Sequence, residues 1–162
     1  YFTLGNDTLP TILMIHGAPG SMSVFDKIIM DSTLLKQARI VTFDRPGYGF
    51  SEFGKPMVSL DSQCMVISKI IDTLIPQKDF EIMAVSFGGP IACKLAKQYK
   101  NRVKGLVLGA PAIAQGLETT FDISYPMIWF PTKWIFPRML RVASKEKFAH
   151  RKEYAILQLV IS

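Results

Sequence analysis

An α/β fold, a mostly parallel sheet with helices on both faces, is predicted for this chain by three observations. Short apolar runs rich in Ile and Val end in turn residues. Helical patterns alternate with these runs from residue 11 to residue 110. The segments between runs are long enough for right-handed parallel crossovers. The composition allows a core: 49% of the 162 residues are hydrophobic and 20% are charged, which excludes a disordered chain and makes one domain the default.

Tyr1 to Leu4 reads as the end of a strand, and Gly5-Asn6-Asp7 after it as a hairpin turn. The first full run is Thr11–Ile15, ending in His16-Gly17. Ser23 with Asp26 reads as a capping box that opens a helix carrying Phe25, Ile28 and Ile29. Ile40–Phe43 is the second run. Leu60, Cys64, Ile67, Ile71 and Leu74 recur at spacings of three and four, one helical stripe stopped by Pro76. Phe80–Val85 is the third run, and Ile91, Leu95 and Tyr99 mark a helix ending near Asn101. Val103–Leu108 is the fourth. Runs that are apolar on both faces suit parallel strands buried between helix layers.

After Ala112 the composition shifts. Residues 121–154 carry eight of the 18 aromatics, cut into short pieces by Pro126, Pro131 and Pro137. The reading is a core over residues 1–115 and the start of a helical cap or lid over 116–162. The net charge of +6 is concentrated late, with seven Lys/Arg against two Asp/Glu in residues 132–162. No recognised nucleic-acid module accompanies that charge, so no nucleic-acid partner is expected. The aromatic and basic stretch 125–152 carries a less favoured reading as a membrane-surface contact. The longest uncharged run, Gly105–Leu117, falls short of the about 18 residues that cross a bilayer. Cys64 and Cys93 lack metal-ligand spacing and fall in helices, so both are expected reduced, with no metal or cofactor. The chain opens at Tyr1 with no basic start and apolar signal core, so the protein is expected to begin upstream and its location is left open.

In an open parallel sheet, ligands bind beyond the carboxyl ends of the strands. Three ends here are distinctive: His16-Gly17-Ala18-Pro19-Gly20-Ser21, Asp44-Arg45-Pro46-Gly47-Tyr48-Gly49-Phe50-Ser51, and Val85-Ser86-Phe87-Gly88-Gly89. Together, from about Leu4 to Ala112, they resemble the α/β-hydrolase family. Ala84-Val-Ser86-Phe-Gly88 is similar to its nucleophile elbow, where a tight strand-to-helix turn projects a serine and needs small residues two positions either side. The resemblance implies Ser86 as nucleophile and the backbone N–H groups of Ala18 and Phe87 as the oxyanion hole, about 2.7–3.1 Å from the developing oxyanion. Read as a plain βα turn, Ser86 would instead cap the helix. The second motif implies a structural loop whose glycines permit a tight path. His16 is expected to shape its loop, and Ser21 and Ser51 to act as caps or turn formers.

A serine needs a histidine to take its proton and an acid to hold that histidine, in the family order Ser, Asp/Glu, His. His150 alone follows Ser86, in a polar stretch that reads as solvated surface, and Glu118 and Asp122 are weak candidates for the acid. The chain is thus expected to be the N-terminal part of a larger hydrolase, lacking the last strands, acid and base and turning over negligibly. The edge of the Val103–Leu108 strand is then expected to be unpaired and aggregation-prone. Serine at position 86, where dehalogenases and soluble epoxide hydrolases of this fold carry aspartate, implies an acyl-enzyme and ester or amide cleavage. An esterase for a small, apolar acyl substrate is favoured. Trp129, Phe130, Trp134 and Phe136 either line such a pocket or pack the lid onto the core. The alternatives are a relative of the proline iminopeptidases, suggested by His-Gly-x-Pro-Gly, and a non-catalytic binding protein on the same fold.

Overall fold

The computed structural model describes residues 1–55, 57–112 and 156–159. Its strands are β1 (Phe2–Leu4), β2 (Thr11–Ile15), β3 (Arg39–Thr42), β4 (Phe80–Val85), β5 (Val103–Gly109) and β6 (Ile156–Leu159). They form one sheet in the order β1-β3-β2-β4-β5-β6. β3, β2, β4 and β5 run parallel, and β1 and β6 pair antiparallel at the two edges. From β2 the chain moves outward to β3, then crosses back to β4 on the far side of β2. The order therefore reverses between β2 and β4, where such sheets open a crevice at the strands' carboxyl ends.

Both faces are covered, as the alternation within each strand dictates. Leu13, Ile15, Val41, Ile82, Ala84, Leu106 and Leu108 point to one side. There they meet Cys64, Ile67 and Ile71 of α3 (Leu60–Leu74) and Ile91, Ala92 and Leu95 of α4 (Gly88–Gln98). Met14 and Ile40 point to the other side, with Phe25 and with Ile28, Ile29, Leu34 and Leu35 from α1 (Asp26–Ile29) and α2 (Ser32–Leu35). α3 starts where the Ser59 hydroxyl accepts the Ser62 N–H and stops at Ile75, before Pro76.

The structure departs from the sequence reading in three places. Gly5-Asn6-Asp7 is not a hairpin turn, because β2 is paired on both sides by β3 and β4 and β1 joins β3 instead, Phe2 opposite Thr42. The turn is closed by the Asn6 side chain, whose Oδ1 accepts the Thr8 N–H at 3.0 Å. The cap before α1 is Ser21, not Ser23. Ser21 has the extended backbone of a capping residue and accepts the Ser23 N–H over the 3-10 turn Met22–Phe25, while Ser23 lies inside that turn. Third, the edge of β5 is not open along Leu106–Gly109: Gly109 pairs with Ile156 and Leu106 with Leu159, so residues read as helical cap form a sheet strand against that part of the edge.

By contacts the chain divides into Tyr1–Ile113 with Ile156–Ser162, and Ala114–Ala155. The rest of the 116–162 cap reading, including 125–152, lies outside the described residues. Among the described residues no helix is long and apolar enough to cross a membrane, and no group of His, Cys, Asp or Glu could hold a metal ion. Cys64 and Cys93 are free thiols, both made weaker acids by burial.

Ile82, fully buried on β4, sets a measurable scale for this core. Ile82→Ala is expected to cost about 2–5 kcal/mol in denaturant unfolding. Met65→Ala, at a position 64% exposed on α3, should stay within about 0.5 kcal/mol.

Candidate active site

The carboxyl ends of β2 and β3 are tied together by His16 and Arg45, both fully buried. The Arg45 backbone N–H donates to His16 Nε2 at 2.9 Å. That bond requires an unprotonated Nε2, so the ring proton sits on Nδ1 and is donated to Gly17 O at 2.7 Å. Burial above all, joined by the Arg45 charge and opposed by the bond to Gly17 O, holds the imidazole below its ordinary pKa. With both nitrogens engaged, His16 has none left to take a proton from Ser86. Beside it, the buried Asp44 carboxylate fixes the next loop by accepting the Met22 N–H at 2.8 Å and the Phe50 N–H at 2.9 Å.

Ser86 follows β4 with φ +50, a left-handed conformation that costs a non-glycine residue on the order of 1–3 kcal/mol. The surroundings hold it there. Its N–H donates to Gly109 O at 2.9 Å, and its carbonyl accepts from Gly89 N–H at 2.9 Å and Ala112 N–H at 3.1 Å. Packing around the turn tolerates no larger residues. A Cβ on Gly88 would lie 2.5 Å from Ile15 O, and one on Gly17 would lie 2.7 Å from Ser86 Cβ and 3.3 Å from its Oγ. Ala84, the other small neighbour, is fully buried.

The Ser86 side chain is half-buried, and its hydroxyl makes no hydrogen bond among the described residues. It does not cap α4, whose N-cap is Phe87 and whose start has no side-chain cap. The N–H groups of Ala18 and Phe87 likewise donate to no acceptor among the described residues. The turn thus carries an unengaged hydroxyl and, at Phe87, an unengaged N–H, while Gly17, the residue before Ala18, lies against Ser86. Ser21 is spent on the cap before α1, its hydroxyl 2.7 Å from that of Ser23. Glu118, Asp122 and His150 lie outside the described residues.

The sequence reading missed a polar cluster behind this turn. Arg45 Nη1 donates to Gln63 Oε1 at 2.9 Å and Nη2 to Gly17 O at 3.1 Å, with the guanidinium 4.3 Å from the centre of the Tyr48 ring. Gln63 lies three residues after Leu60, on the apolar face of α3, and is buried. A polar side chain inside that stripe was the available signal.

A mostly parallel sheet with a serine on a strained turn at its order reversal defines the class: an α/β protein with the frame of a hydrolase. A family model for the alpha/beta hydrolase fold matches residues 10–148, and the chain belongs to that family. It is 34% identical over 126 residues to the uncharacterized hydrolase YNR064C of Saccharomyces cerevisiae, covering 76% of this chain and 40% of the relative. It is 30% identical over 155 residues to the juvenile hormone epoxide hydrolase of Manduca sexta, 85% of this chain and 33% of that one. It is also 30% identical over 115 residues to the human monoacylglycerol lipase ABHD6, 70% of this chain and 33% of the lipase. The chain thus spans 33–40% of the length of these relatives.

Two measurements test this geometry. Gly88→Ala drives a methyl group into the β2 backbone and is expected to destabilise the fold by about 1–3 kcal/mol in thermal or denaturant melts. His16 binds its proton less tightly folded than unfolded, so its contribution is complete above the unfolded value near 6.5. Stability is expected to decline as pH falls below that value, by at most about 1.4 kcal/mol per pH unit for one group, and to level off once the folded pKa is passed. Denaturation midpoints from pH 8 to pH 5 should show this slope, and His16→Asn should reduce it.

Proposed function

We propose that Ser86 is the nucleophile of a hydrolase that cleaves carboxylic esters through an acyl-enzyme. The observation that carries this reading is the unengaged Ser86 hydroxyl on its positive-φ turn, with the N–H groups of Ala18 and Phe87 unspent in the loops beside it. In the cycle, Ser86 Oγ attacks the acyl carbonyl and its proton passes to a histidine. The carbonyl oxygen becomes an oxyanion that accepts from the two backbone N–H groups. The histidine returns the proton to the leaving alcohol, and water repeats the sequence to release the acid. In this reading the histidine and its supporting acid are not among the described residues, and the substrate is a small apolar acyl compound.

The nucleophile's chemistry favours acyl transfer over epoxide opening. Attack by serine on an epoxide carbon leaves an ether, which water does not readily cleave, whereas an aspartate leaves an ester with a carbonyl that water can attack. The relative named a monoacylglycerol lipase is consistent with an ester substrate, and the one named an epoxide hydrolase shares the frame.

The test is a fluorophosphonate probe and a p-nitrophenyl ester series on the complete gene product. Ser86→Ala is expected to abolish labelling and to lower kcat by about 10⁴–10⁶-fold. Labelling that survives the substitution removes Ser86 as nucleophile.

A further inference from the structure

Arg45 is a buried cation without a carboxylate partner among the described residues. Its sequence neighbour Asp44 turns its carboxylate to the Met22 and Phe50 N–H groups. The guanidinium lies instead over the rings of Tyr48 at 4.3 Å and Phe87 at 5.5 Å, donates to Gln63 and Gly17, and leaves Nε unpartnered among the described residues. Burial of an unpaired positive charge is costly, and a carbonyl, an amide and two π faces compensate it only in part. Structural packing alone would be served better by an apolar side chain of similar volume.

We propose that Arg45 is a positioning residue for the oxyanion hole, acting through the Gly17–Ala18 peptide; this rests on the reading of Ser86, Ala18 and Phe87 above. That peptide is trans, the cis bond being the following Ala18–Pro19, so its C=O and N–H point in opposite directions. Gly17 O accepts from both His16 Nδ1 at 2.7 Å and Arg45 Nη2 at 3.1 Å, which fills its two lone pairs. With the carbonyl held inward, the Ala18 N–H is held facing away from the buried pair. A flip of the plane would strand a guanidinium and an imidazole without their acceptor. Two donors on the carbonyl also polarise the amide and strengthen the N–H at its other end. The same guanidinium lies against the Phe87 ring, so one cation braces both residues that offer a donor.

The test compares Arg45→Met, Arg45→Lys and Gln63→Leu in the complete gene product. Each variant is titrated to completion with the fluorophosphonate, so that rates are counted per competent site and unfolded molecules drop out. Single-turnover acylation by a p-nitrophenyl ester and the infrared carbonyl stretch of the acyl-enzyme are then measured. Arg45→Met is expected to slow acylation per titrated site by about 10–100-fold with KM little changed, and to move the stretch to higher frequency as the carbonyl loses a hydrogen bond. Arg45→Lys, which keeps a charge and a donor, should recover part of both effects. Gln63→Leu, which loosens the guanidinium, should show a smaller effect of the same sign and carries the test with Arg45→Lys if Arg45→Met does not fold. Acylation per site within about threefold of the unaltered protein, with an unmoved stretch in the folded variants, overturns the proposal. Labelling lost in Ser86→Ala alongside that outcome leaves the nucleophile standing and sinks Arg45 alone; labelling that survives Ser86→Ala sinks both.

Discussion

Two stretches of backbone approach one another at the carboxyl ends of β2 and β4 more closely than side chains would allow. Gly17 lies against Ser86, and Gly88 lies against the carbonyls of Ile15 and His16. These contacts hold Ser86 at its positive φ. The parallel order places this junction where the direction of strand addition reverses, the position at which such sheets open a crevice. A wider junction would let the serine relax into an ordinary helix-capping geometry.

Behind the turn, rigidity comes from buried polar groups rather than from apolar packing. His16 spans from β2 to the backbone of Arg45, and Asp44 collects N–H groups from the loops on either side. Arg45 is tied by Gln63 to α3, so a helix far from the turn in sequence bears on it. Such networks specify one arrangement because any partial break leaves a buried charge or donor unsatisfied.

The strands buried on both faces were legible from sequence because their apolar runs report burial directly. Thr11–Ile15 and Phe80–Val85 match residue for residue, and the α3 stripe from Leu60 to Leu74 spans the whole helix. The edges were less legible. Periodicity says that a segment is extended, not which neighbour it pairs with, so β1 was joined to the wrong strand and Ile156–Leu159 was taken into a helical segment. The tight turn at Ser86 could be read because its small neighbours Ala84 and Gly88 are spaced by steric need. The burial of Arg45 could not, since a guanidinium is expected in water until the surrounding rings and carbonyl are known.

The backbone of Ser86 carries a further implication for how this chain tolerates change. Glycine adopts a φ of +50 without the steric penalty that serine bears. A screen for thermostability alone would therefore tend to enrich glycine at this position while discarding the hydroxyl. The chain's most stable version and the version that keeps this hydroxyl are then different sequences.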